Sequence, residues 1–231
     1  MVATGMSEIH QLTDRRGLDV ALASAVSERL QAAIASRGRA YLVVSGGSTP
    51  ANSFTLLART TIDWDRAVVL LADERCVADD DKDRNERLVR ETLLTQNASD
   101  AEFVSLIPVS GEHDDDIASV LARLASLPEF DVVLLGMGED AHTASLFPCA
   151  AELAVGMTTD DDALITRPLS APYTRVSLSK NRLLNTRHGM LHIVGEKKKS
   201  VLESALQSGD EMQYPISAFV GQSGFDCWWA P

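Results

Sequence analysis

The sequence predicts an α/β protein: one three-layer domain over residues 1–231, with a mostly parallel sheet covered by helices on both faces. Short apolar runs of strand length alternate with longer segments whose apolar residues recur at helical spacing. A chain of 231 residues with 45% hydrophobic content can bury one substantial core. It contains neither an internal repeat nor a low-complexity linker at which to divide it.

Residues 17–36 form the first expected helix, with Leu18, Leu22, Ala25, Val26, Leu30, Ala33 and Ile34 on one face and Gly38 as the stop. Residues 41–44 read as a short apolar strand, 45–50 as a turn and 51–59 as a helix. The run 67–72 is the next strand and 73–83 a charged loop. Helices are expected over 85–94 and 116–127, the latter ending before Pro128. Residues 130–135 have the length and apolar continuity of a buried parallel strand. The stretch 150–162 is acidic, weakly periodic and expected as a surface excursion. Residues 175–179 alternate like a strand, 188–194 form another, Gly195 is a turn, and 196–207 a helix. The chain closes with a short strand at 216–220 and an aromatic cover at 225–229.

Acidic residues outnumber basic ones, 33 to 21, for a net charge of −12. That argues against nucleic acid as a partner, since a phosphate backbone needs a basic face. A small phosphorylated molecule needs only a local cluster of cations acting at short range. The three cysteines, Cys76, Cys149 and Cys227, show no metal-ligand spacing and no disulfide framework, which suits a reducing cytoplasm. No secretory signal is read at the N-terminus, and no apolar run approaches the roughly 20 residues that span a bilayer. A membrane partner is therefore not expected. The acids at 79–83 lack calcium-loop spacing and read as a solvated face, so no metal site is expected.

Several constellations follow strands directly, where open α/β sheets bind ligands. Gly136-Met-Gly-Glu-Asp-Ala-His-Thr-Ala-Ser-Leu-Phe-Pro148 places Asp140 two residues before His142. A carboxylate there can orient an imidazole, which exchanges protons near neutral pH. Ser45-Gly46-Gly47-Ser48-Thr49-Pro50 leads from strand to helix. Its backbone N–H groups suit a phosphate, although a plain capped turn gives the same pattern. Asp73-Glu74-Arg75 offers an arginine for an anion and a carboxylate for a sugar hydroxyl, with a solvated charged loop as the alternative. Lys197, Lys198 and Lys199 open a helix against its dipole, a local conflict that marks Lys198 as a phosphate partner or a surface lysine. Arg175, entering its own strand, is a further candidate.

Taken in order, these segments, with Asn85, Arg175-Val-Ser-Leu178 and Gly195-Glu-Lys-Lys198, resemble the 6-phosphogluconolactonases, within the glucosamine-6-phosphate isomerase/deaminase superfamily. The resemblance runs from about Ser24 to Trp229. It implies a Rossmann-like α/β/α fold, no cofactor, no metal and hydrolysis of 6-phospho-D-glucono-1,5-lactone, the second step of the oxidative pentose phosphate pathway. It also implies His142 as catalytic acid/base with Asp140 beside it. Gly46, Gly47, Ser48, Arg75, Arg175 and Lys198 would surround the substrate, mainly its phosphate, and Asp73 joins them on the separate reading that it accepts from a sugar hydroxyl. The related amino-sugar isomerases carry an acidic residue five positions after the histidine, where this chain has Phe147, and that favours the lactonase over the isomerase/deaminase. A non-catalytic sugar-phosphate sensor is the other alternative. The family's usual glycine between Asp and His is Ala141 here, a methyl that is awkward if the residue needs positive φ. A cytoplasmic monomer or weak homodimer is expected.

Overall fold

A computed structural model of the chain describes residues 8–108, 117–221 and 224–231. β1 (Ile9–Gln11) leads into α1 (Arg15–Arg37), which begins where the Asp14 carboxylate accepts a hydrogen bond from the Gly17 N–H at 2.7 Å. Leu18, Leu22, Val26 and Leu30 share its buried face. β2 (Ala40–Val44) is followed by α2 (Ala51–Leu57), β3 (Ala67–Leu71), β4 (Asp73–Arg75) and α3 (Asn85–Thr92). β5 (Glu102–Val104), α4 (Ala118–Leu124) and β6 (Phe130–Leu135) come next. Then come α5 (Leu153–Thr158), β7 (Ala163–Thr166), β8 (Arg175–Leu178) and α6 (Lys180–Leu184). The chain ends through β9 (Thr186–Val194), α7 (Glu196–Ser208) and β10 (Phe225–Ala230).

The central sheet has seven strands in the order β1-β10-β9-β6-β2-β3-β5, and each neighbouring pair is parallel. β3 and β6 are buried along their whole length, which is why they read as unbroken apolar runs. From β2 the chain proceeds outward through β3 to β5, then returns to β6 and builds outward the other way. The direction therefore changes between β2 and β6. A crevice opens at such a switch point, beyond the carboxyl ends of the strands. The loops at 45–50 and 136–148 leave those two ends side by side. They are tied there by Ser45 N–H to the Leu134 carbonyl at 3.0 Å and Gly136 N–H to Ser45 Oγ at 3.2 Å.

A second, antiparallel sheet, β4-β8-β7, lies beside the crevice and sets Arg75 directly opposite Arg175. It corrects the reading of 73–83 as a loop throughout: its first three residues are a strand. Glu74 there is fully buried, and its carboxylate accepts the N–H groups of Arg75, Asn85 and Glu86 at 2.7–2.8 Å. The excursion at 150–162 contains α5, which buries Leu153 and Met157. Residues 216–220 are not a strand. Pro215–Ala218 is a single 3₁₀ turn, since its proline fixes φ and removes a ladder donor. The aromatic cover is β10 itself, paired with β9 and β1. Of the helix expected over 116–127, Asp116 lies outside the described residues, and Ala118–Leu124 is helical.

Candidate active site

The crevice at the switch point is a cavity of about 270 Å³. Gly46, Gly47, Ser48, Asp73, Arg75, His142, Arg175 and Lys198 all line it. Residues from five separate segments of the chain thus converge on one space.

Asp140 stands behind His142. Its Oδ1 accepts from the imidazole Nδ1 at 2.5 Å and from the His142 backbone N–H at 3.3 Å. Burial pushes the Asp140 carboxyl up, but the hydrogen bond and charge of His142 outweigh it and hold the carboxyl below its ordinary range. An ionised carboxylate only accepts, so the Nδ1 facing it carries a proton, and whenever the ring holds a single proton Nε2 presents a lone pair to the cavity side. The pair is packed so closely that a Cβ at Gly138 would lie 2.2 Å from the His142 ring and 2.6 Å from Asp140 Oδ1. Only glycine fits there. Ala141 does adopt the left-handed backbone, with φ 63°, and is fully buried. Its N–H reaches the Gly138 carbonyl at 3.1 Å, and its own carbonyl accepts from the Ile216 N–H at 3.1 Å.

Phe147 is more than the absence of an acid. Its ring stacks on the His142 imidazole, with centroids 3.8 Å apart and planes 20° from parallel. The Arg175 guanidinium lies 5.2 Å over the same ring. One buried aromatic side chain therefore orients two site residues at once.

Three cations face the cavity. Arg75 spends one Nη1 hydrogen bond on the Asp83 carbonyl at 2.6 Å. Arg175 Nη1 is 3.7 Å from Asp73 Oδ2, and its Nε has no hydrogen-bond partner among the described residues. Burial pulls the Arg175 pKa down and Arg75 adds to this, while Asp73 opposes them. Two arginines opposite each other on neighbouring strands repel, and an anion between them would offset that repulsion. The structure also separates the three lysines. Lys197 reaches Glu139 at 2.5 Å, Lys199 lies 4.1 Å over the Trp229 ring, and Lys198 turns to the cavity. Burial depresses the Lys198 pKa, Glu139 opposes the shift, and the ammonium has no ion pair among the described residues.

Asp73 is buried and receives the Ser145 hydroxyl at 2.6 Å. Asn85 and His192 also line the cavity, and sequence reasoning had given neither a role in the site. Asn85 lies against Gly46, where a Cβ would come within 2.0 Å of its Oδ1, and its Nδ2 donates to the Asp73 carbonyl at 3.0 Å. The only local signal was its place opening a helix after the charged segment. His192 had the weak signal of a polar residue within an apolar strand. Among the described residues, no three His, Cys, Asp or Glu side chains cluster to hold a metal ion.

This geometry has close relatives. The family described as glucosamine-6-phosphate isomerases/6-phosphogluconolactonase matches residues 13–229. The 6-phosphogluconolactonase of Rhizobium meliloti (strain 1021) is 40% identical over 97% of this chain and 99% of its own length. That of Pseudomonas putida is 38% identical over 97% and 93%. The crystal structure of a 6-phosphogluconolactonase from Shewanella baltica OS155 superposes with a TM-score of 0.95 at 42% identity, covering 99% of both chains. A monomeric glucosamine-6-phosphate deaminase shares the fold, with a TM-score of 0.78 at 16% identity. With a match over nearly its whole length and relatives at this level of identity, the chain belongs to the glucosamine-6-phosphate isomerase/6-phosphogluconolactonase family.

Proposed function

We propose that His142, oriented by Asp140, carries the chemistry of this chain, and that Arg75, Arg175 and Lys198 hold the substrate by its phosphate. The reaction is hydrolysis of 6-phospho-D-glucono-1,5-lactone to 6-phospho-D-gluconate in the pentose phosphate pathway. The observation that carries the assignment of roles is the Asp140–His142 pair opening onto the same cavity as three cations.

The lactone is already electrophilic, so the site has to place it, activate water and protonate the departing ring oxygen. Binding of the phosphate, remote from the reacting carbon, supplies orientation. His142 Nε2 takes a proton from water as its oxygen bonds to C1. The tetrahedral intermediate then collapses, the bond from C1 to the ring oxygen breaks, and the Nε2 proton passes to that oxygen. Asp140 holds the ring in place and offsets the charge of the imidazolium between the two transfers. The collapse leaves a carboxylic acid at C1, which releases its proton to solvent to give the gluconate, and Nε2 is returned to its starting state. Gly46, Gly47 and Ser48 add donors to the phosphate at the start of α2, and Asp73 is placed to accept from a sugar hydroxyl.

Phe147 favours this reading over amino-sugar isomerisation, because an apolar ring transfers no proton at the sugar carbons. A single domain over 1–231 is supported by one hydrophobic cluster running from Leu18 to Ala230. The wide spacing of the three cysteines in the sequence, without a disulfide framework, supports a reducing cytoplasm. The net charge of −12 supports a small-molecule partner rather than nucleic acid. We place the protein as a monomer or weak homodimer. The test is the initial rate of lactone loss over the spontaneous rate, in a buffer containing a chelator, beside ammonia release from glucosamine 6-phosphate. Acceleration of lactone loss alone is expected. Ammonia release, or binding without turnover, would replace the assignment.

A further inference from the structure

His192 has no part in the mechanism above, yet it is placed as a ligand group would be. It sits on β9 with 2% of its surface exposed, at the wall of the cavity. Among the described residues, neither Nδ1 nor Nε2 has a hydrogen-bond partner. The nearest acid, Asp19 of α1, has its Oδ1 3.9 Å from Nε2, beyond hydrogen-bonding reach, and that oxygen already accepts from Ser53 Oγ at 2.6 Å. A buried polar group without a partner destabilises the fold, and native proteins retain few of them. This one borders the space into which a ligand fits.

Its charged neighbours identify the end of the cavity to which it belongs. They are Asp19, Arg15 and Lys198, not Asp140 or Asp73. Arg15 in turn donates to the Thr49 carbonyl at 3.0 Å, in the turn that precedes α2. Burial is the main force pushing the His192 pKa down to about 4, Arg15 and Lys198 add to it, and Asp19 opposes it. The ring is therefore neutral at pH 7, with one nitrogen as donor and the other as acceptor.

We propose that His192 is a phosphate-contacting residue whose protonated ring nitrogen donates a neutral hydrogen bond to the substrate phosphate, between the 45–50 turn and Lys198. The inference rests on the reading that this cavity takes a phosphorylated sugar lactone. A neutral donor suits the position, since it adds direction to the grip without placing another cation beside Lys198 and Arg15. A phosphate bound there would supply the hydrogen-bond partner that the protein's own described groups do not.

The experiment follows the ring nitrogens of His192 by ¹⁵N NMR in the full chain, titrated with 6-phosphogluconate, inorganic phosphate and unphosphorylated gluconate. The His192 signals are identified by their loss in His192→Leu. The two phosphorylated probes should shift one nitrogen and raise the ring pKa, and gluconate should do neither. In kinetics, His192→Leu should raise KM for the phosphorylated lactone about 10-fold, the loss of one hydrogen bond to a charged group, with a much smaller change in kcat. His192→Gln, which keeps a neutral donor, should recover most of that loss. Tm of the leucine variant should hold or rise, because an unpartnered buried polar group has been removed. His192 signals that ignore both phosphates at saturation would overturn the proposal, as would an unchanged KM in a folded leucine variant. If the leucine variant does not fold, the glutamine variant supplies the assignment and the titration of the parent protein decides. A parent that shows the phosphate-linked shift but hydrolyses no lactone would defeat the functional reading and leave this contact standing.

Discussion

Replacing Lys198 with methionine keeps most of the unbranched side chain and removes its charge, and the structure assigns the change two effects of opposite sign. The ammonium lines the cavity, is half-buried and has no ion pair among the described residues. It is therefore desolvated in the free protein with only partial compensation from Glu139, and burial is the main cause of its lowered pKa. With a phosphate bound, the same group makes a charge-assisted hydrogen bond worth about 1.5–3 kcal/mol, which corresponds to roughly 10- to 150-fold in affinity. Lys198→Met should therefore raise KM for the phosphorylated lactone by that factor. KM for unphosphorylated gluconolactone should barely move, and Tm should stay or rise. The assay is initial rates on both lactones at fixed ionic strength, with thermal unfolding in parallel. An equal change of KM for the two substrates would refute phosphate reading by Lys198. A lower Tm with unchanged KM would make it a structural lysine.

Asp140→Asn keeps the shape but loses the acceptor charge that sets the His142 tautomer, and kcat should fall at least about 10²-fold with little change in KM. An unaltered kcat would free Asp140 from its role. Ala141→Gly relieves a left-handed backbone costing about 1–2 kcal/mol. It also loses a buried methyl worth about 0.8 kcal/mol and adds about 0.4–1 kcal/mol of unfolded-state entropy. Stability in urea should thus change by less than about 1 kcal/mol, and kcat/KM should hold; a large gain in turnover would mean that the methyl distorts the Asp140–His142 pair. Stability should also carry a signature of His192 at low pH. The unfolded ring takes its proton near 6.5 and the folded ring only near 4, so below 6.5 the unfolded state binds more protons. Stability contributed by the neutral ring is lost as pH falls through that window, by up to roughly 3 kcal/mol. Glu74, raised to about 7 chiefly by burial, acts in the opposite direction over an overlapping range. The comparison is therefore between the protein and His192→Leu, whose acid limb should be flatter; identical limbs would count against a neutral buried ring.

The central strands were legible because β3 and β6 are covered on both faces and leave no alternation in the sequence. The edge strands β1 and β5 are three residues each and half-exposed, too short to make such a run. β4 was hidden by its charge. Asp73 and Glu74 are buried only because Ser145, Arg175 and three backbone N–H groups satisfy the two carboxylates. Residues 216–220 misled for the converse reason: buried apolar side chains look alike in a strand and in a 3₁₀ turn.

The candidate site was legible where strand ends lead into glycine-bearing turns, at 45–50 and 136–142, and where a cation opposes a helix dipole, at Lys198. His192 was not, because a histidine within an apolar strand reads as a core position until Asp19 and the cavity wall are seen around it. The second role of Phe147 was also invisible. Sequence showed that it is not an acid, whereas its stacking on His142 and beneath Arg175 depends on how the 136–148 loop closes on β8.

The central claim is that His142 moves the protons, and the most direct measurement is kcat of a folded His142→Ala variant at saturating phosphorylated lactone, corrected for spontaneous hydrolysis. Loss of general acid–base catalysis predicts a fall of roughly 10²- to 10⁴-fold, with 6-phosphogluconate still bound because the three cations are untouched. Turnover close to that of the parent protein would contradict the account and move the chemistry to another group in the cavity.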